Sequence, residues 1–214
     1  MKKYKMLAFG MVLFSFLVGI AVYQQMPEKM ASHWNAQGAV DGYMPRFWAV
    51  FLMPLISLGM FLLFLAIPRI DPMRANIYKF RKYFDGFIVI IFAFLLYLYA
   101  LTLFWNMGIK FSIILFLVPA FAALFYYMGI LVENAKRNWF IGIRTPWTLS
   151  SDKVWDKTHK IGGKLFKASA IISLLGLFLI DYAILFVIVP VILVAIFTIV
   201  YSYAEYTKLE TKKK

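Results

Sequence analysis

Apolar and polar residues fall in long blocks along this chain, not in single steps. Apolar runs of roughly 20 residues occupy positions 6–25, 47–67, 84–105, 111–132, 165–181 and 182–203, each long enough to cross hydrocarbon as a helix. Spans three and four are joined by a tight connection from Asn106 to Lys110. The stretch 165–203 would make a single helix of about 58 Å, twice the bilayer core, so it must break. Asp181-Tyr182 is the break point, because a carboxylate is costly in hydrocarbon and belongs at a surface turn.

The polar blocks between the spans are unequal. The longest runs from Gly142 to Gly163, GIRTPWTLSSDKVWDKTHKIGG, within an interval from Glu133 to Lys164. Thr148 to Ser151 offers helix N-cap side chains, and Ser150 or Ser151 followed by Asp152 starts a helix well. Lys153, Lys157, Lys160, Lys164 and Lys167 then recur at spacings of 4, 3, 4 and 3, which sets them in one stripe. Val154, Thr158, Ile161, Leu165 and Phe166 fall opposite, with Trp155 at the edge. The pattern predicts an amphipathic helix lying at the membrane surface, with Gly162-Gly163 as the bend into span five. The lysines need no more than an ordinary loop, but Trp147, Trp155 and IGIRTPWTL are not explained that way. Pro146 forces Thr145 into an extended conformation. Arg144, just before it, is placed to pair with a headgroup phosphate or with Glu133 or Asp152.

Charge fixes the orientation. With the N-terminus inside, every basic residue except Lys29, Arg46 and Lys110 lies on the inner side, including Lys2, Lys3 and Lys5 at the start and Lys208, Lys212, Lys213 and Lys214 at the end. The fold class expected is all-α: a polytopic membrane protein of six transmembrane helices, both termini inside, with the interfacial helix between helices four and five. Positions 1–68 make an N-terminal two-helix unit and 69–214 a four-helix unit, within one membrane domain. The basic start and first apolar run are read as an uncleaved helix, since the run is too long for a signal peptide and lacks a cleavage site.

Composition agrees. The chain is 63% hydrophobic with a mean hydropathy of +0.78, which no ordinary soluble domain shows. The net charge of +13 follows from the inner loops and implies no nucleic-acid binding. There are no cysteines, hence no disulfide or thiolate chemistry. His33 and His159 fall on opposite sides of the bilayer and cannot share a site. No P-loop, HExxH, GxSxG or GxGxxG occurs. The expectation is a protein that is no enzyme and takes no metal or cofactor. Asp85, Glu133, Asp181 and Glu205 sit near span ends, where snorkelling is the default, so no ion-coupling carboxylate lies at mid-depth. Pro54, Pro119 and Pro190 each lie seven or eight residues into an outside-to-inside span. Proline can kink a helix there, and three kinks at one depth would mark a packed cluster or a cavity. A small-solute or lipid-handling transporter built around that cavity is the alternative reading.

The outer polar block, MPEKMASHWNAQGAVDGYMPR, is dense in turn formers (Asn35, Gly38, Asp41, Gly42) and interfacial aromatics (Trp34, Tyr43, Trp48). His33, Trp34, Asn35, Gly38, Asp41 and Gly42 are the recognition candidates on this face.

The inner stretch GIRTPWTLSSDKVWDKTHKIGG resembles the signature of the SdpI family of bacterial membrane proteins. The outer text P-x-x-M-x-x-HWN-x-x-G-x-x-DGY is similar to the small domain of unknown function that precedes it in many relatives. The resemblance implies a plasma-membrane protein that protects its cell from a secreted, membrane-active toxin peptide. It implies as partners, besides membrane lipids, that toxin and a small DNA-binding repressor recruited to the membrane. Carried over by position, the inner functional candidates are Arg144, Thr145, Pro146, Trp147, Trp155 and His159.

Overall fold

A computed structural model describes residues 2–211. Met1, which opens the first-helix reading, and the inner cations Lys212, Lys213 and Lys214 lie outside the described residues. The chain runs α1 (Lys2–Val22), β1 (Lys29–Trp34), β2 (Val40–Pro45), α2 (Arg46–Ile70), α3 (Arg74–Lys79), α4 (Arg81–Asn106), α5 (Ile113–Asn134), α6 (Pro146–Ser150), α7 (Asp152–Leu175) and α8 (Ala183–Thr211). Six of these helices are long and apolar enough to cross a membrane. They carry large apolar side chains outward, among them Leu13, Leu17, Leu62, Leu63, Leu193 and Ile196, as lipid-facing helices do. The break before α8 falls where expected. Two 3-10 turns, Gly176–Phe178 and Ile180–Tyr182, carry the chain round with Asp181 exposed.

The chain is mainly helical as expected, and the outer block adds a hairpin in which β1 and β2 pair antiparallel, the one sheet among the described residues. One expectation is corrected: there is no separate surface helix before span five. Asp152–Leu175 is one continuous helix, about 36 Å long, whose first half carries the lysine stripe and whose second half is apolar.

Gly162 and Gly163 do not bend that helix; they let neighbours approach it. A Cβ at Gly163 would sit 2.7 Å from the Gly129 carbonyl oxygen of α5, and one at Gly129 would sit 2.6 Å from the Gly163 carbonyl oxygen. Backbones that close require glycine, the usual device between membrane helices, where packing rather than hydrophobic exclusion drives association. The pair α5 and α7 accordingly makes the most extensive helix contact, with α8 against α7 next. On the other side α1 packs on α4 and α2. One apolar cluster joins the two groups at the inner end, from Phe61, Phe80, Phe84 and Phe92 to Leu131, Ile141 and Trp155.

Pro54 is buried, Pro190 half-buried and Pro119 exposed, each inside a continuous helix. Pro119 borders a groove of about 400 Å³.

Candidate functional site

On the outer face the hairpin is held from both ends. Asn106, the last residue of α4, accepts from the Ala31 N–H at 2.8 Å and donates to the Ala31 carbonyl at 3.0 Å. A side-chain amide thus completes the open edge of β1 and fastens it to a membrane span. Met26 and Met30 are buried with Val50, Tyr99 and Leu103 beneath it. At the tip Asn35 folds the turn, its Oδ1 accepting from the N–H groups of Gln37 and Ala39 at 3.0 Å each. Gly38 takes φ +77°, a left-handed value glycine reaches without strain.

All six outer candidates therefore meet in one hairpin, but their roles separate. Asn35 and Gly38 build the turn. Gly42 admits His33 across the strands, since a Cβ there would lie 2.8 Å from the His33 Cβ. Trp34 turns inward, edge-on to Trp105 at 5.8 Å. The pair His33–Asp41 faces outward, linked at 2.5 Å with both side chains exposed, beside exposed Tyr43. That pair and Tyr43 are the surface a ligand from outside would meet.

The inner loop is built around residues that pattern reading did not single out. Asn138 is fully buried: its Oδ1 accepts from the N–H groups of Phe140 (2.9 Å) and Ile141 (2.6 Å), and its Nδ2 donates to the carbonyls of Lys136 and Ile141, both at 2.8 Å. Asp71, also buried, accepts from Met73 N–H at 2.6 Å and Trp139 N–H at 2.9 Å. Asn76 donates to the Arg137 carbonyl at 2.8 Å. The end of α2 and the short α3 thereby grip the loop. Their only sequence signal was amide and carboxylate side chains at span ends.

The motif itself is an interlocked unit. Thr145, extended at φ −110° and ψ 162° as Pro146 requires, caps α6 in a reciprocal capping box with Thr148. The Thr148 hydroxyl also donates to the Ile143 carbonyl at 2.8 Å, and the Thr145 hydroxyl lies 3.0 Å from that of Ser202 on α8. Ser151 caps α7. Trp147 rests on Tyr203 at 5.1 Å. Trp155 sits at the centre of the buried face of α7, not at its edge. It is fully buried, donates from Nε1 to the Ala135 carbonyl at 2.8 Å, and stacks on His159 at 3.9 Å. His159 completes the lock: Nε2 accepts from Ile143 N–H at 3.0 Å, which leaves Nδ1–H to donate to the Trp155 carbonyl at 2.9 Å. Gly142 passes over that ring at φ +113°, and a Cβ there would run into His159 Nε2.

Arg144 does not pair with Glu133 or Asp152. Glu133 takes Lys167 and Asp152 takes Arg137, while exposed Arg144 donates to the Trp139 carbonyl at 2.6 Å. Asp85, too, departs from the snorkelling expectation, being buried beside Arg81 at 2.6 Å. Of the six inner candidates, Thr145, Pro146, Trp147, Trp155 and His159 build the unit and Arg144 is displayed on it.

Six apolar spans with a built hairpin at one face and an interlocked loop at the other define a multi-pass α-helical membrane protein. Its C-terminal part is similar to the SdpI family. Residues 134–202 match the SdpI/YfhL protein family and residues 10–58 match DUF1648, a domain of unknown function. Over 200 residues, 92% of this chain and 93% of the relative, it is 29% identical to the Immunity protein SdpI of Bacillus subtilis (strain 168). It is thus a multi-pass membrane protein similar to an immunity protein. No solved structure matches it.

Proposed function

We propose that this chain is a plasma-membrane immunity protein that protects its cell against a secreted, membrane-active toxin peptide, and that it does so without catalysing a reaction. The observation that carries the reading is the extent of the likeness to an immunity protein, which includes both the hairpin and the inner unit. The toxin meets the exposed His33–Asp41 pair and Tyr43. The inner unit, displaying Arg144, receives a cytoplasmic partner, for which a small DNA-binding repressor is the family's precedent.

Expression in a toxin-sensitive host that lacks its own immunity protein tests this. Survival at toxin doses that kill the vector control is expected. Equal killing, with the chain present in the membrane at normal levels, overturns it.

A further inference from the structure

The outer hairpin has two edges, and its register fixes which peptide groups each edge presents. In an antiparallel pair, directly opposed residues alternate between bonding each other and pointing their N–H and C=O away from each other. Ala31 stands opposite Tyr43. Both peptide groups of Ala31 leave the sheet for Asn106, at 2.8 and 3.0 Å, so this pair is of the outward-pointing kind. The bond from Arg46 N–H to the Glu28 carbonyl at 2.9 Å agrees, since that bonded pair lies three steps along the same register.

Tyr43 must then direct its own N–H and C=O out of the opposite edge. β2 packs chiefly on β1 and on α2, the helix it runs into. Among the described residues no hydrogen bond from outside the ladder reaches either group. The opening is confined to this residue. Pro45, next in the same orientation, has no N–H, and the register shifts between Ala31 and His33. Proline and a bulge are the usual means of blunting an edge against indiscriminate pairing. Here they leave one residue open, in one register.

The opposite edge shows what such a residue accepts. There a carboxamide supplies one acceptor and one donor together. Every second residue of an extended peptide presents the same two groups to one side. The exposed Tyr43 ring and the exposed His33–Asp41 pair flank the opening. We propose, resting on the immunity reading, that the Tyr43 N–H and C=O dock one residue of an extended segment of the secreted toxin peptide as a short third strand. A peptide already held at the membrane surface has a high effective concentration there, so a small contact suffices.

The test is hydrogen exchange of the full-length protein in detergent, with and without the secreted toxin peptide of the family's best-known system. With peptide, the Tyr43 amide should exchange about ten-fold more slowly or better, while the Ala31 amide, already bonded to Asn106, stays as it is. An unchanged Tyr43 amide overturns the docking. So does slow exchange without peptide that strengthens with protein concentration, which would give the edge to a second copy of the chain. Tyr43→Pro removes the one N–H and is tolerated where an edge N–H faces outward. It should weaken peptide binding about ten-fold, the worth of one main-chain hydrogen bond. Tyr43→Val keeps that N–H and should bind close to wild type; equal loss in both variants assigns the contact to the ring and overturns the edge. In the host assay at threshold toxin doses, undiminished protection by Tyr43→Pro overturns the edge alone. Absence of protection by the wild type overturns the immunity reading and the docking with it.

Discussion

Replacing Asn138 by alanine tests whether the inner loop is built as described. The side chain is fully buried and makes four hydrogen bonds to backbone. Two of them serve the N–H and carbonyl of Ile141, itself buried, and these have no route to water once the amide is gone. Each stranded group costs about 1–3 kcal/mol, so the pair costs about 2–6 kcal/mol. The bonds to the Lys136 carbonyl and the Phe140 N–H are nearer the surface, where water replaces them at small loss. Most of the contact between the spans lies outside this loop, so the expected result is local opening. Hydrogen exchange resolves that: even the lower figure, about 2 kcal/mol, corresponds to roughly 30-fold faster exchange. Amides of 138–145 should accelerate by at least that factor in Asn138→Ala, while those of the middle of α4 stay unchanged. Wild-type exchange in the loop would refute the buried-amide account.

Gly142→Ala puts a side chain at φ +113°, which costs an L-residue about 1–2 kcal/mol before the collision with His159 is added. Its melting temperature in detergent should fall clearly below wild type, and an unchanged value would mean the loop runs elsewhere. Asn106→Leu removes both bonds to Ala31, so external protease should cut the hairpin faster while membrane levels hold; unchanged cleavage would show that the hairpin is anchored without it. Trp155→Ala empties a fully buried site at a cost of about 3–5 kcal/mol and should lower the amount of folded protein. Arg144→Ala should leave that amount intact and reduce protection, and full protection in this variant would remove Arg144 from the mechanism.

The spans and the chain break at Asp181 were legible because each rests on a local rule: hydrocarbon thickness and the cost of a carboxylate in it. The Ser151 cap and the extended Thr145 were legible for the same reason. What escaped were features set by partners distant in sequence. The lysine periodicity of α7 describes its solvated face as far as Lys164, while Lys167 turns to Glu133 on α5, and nothing local says that Trp155 and His159 face Ala135 and Ile143, or that Gly163 meets Gly129. A glycine pair reads equally as a bend or as a contact until the neighbouring helix is in place. The hairpin was hidden because its alternation is short and its edge is completed by Asn106, far along the chain. His33 and Asp41, eight residues apart, become a pair only once that hairpin has formed.

The central claim is protection of the membrane itself, and the membrane potential reports it most directly. Sensitive cells carrying this chain or an empty vector are given the secreted toxin peptide of the family's best-known system while a potential-sensitive dye is followed. The account predicts that the vector cells depolarise and the cells carrying the chain hold their potential. Depolarisation at the same dose and rate in both, with the chain inserted at normal levels, would contradict it.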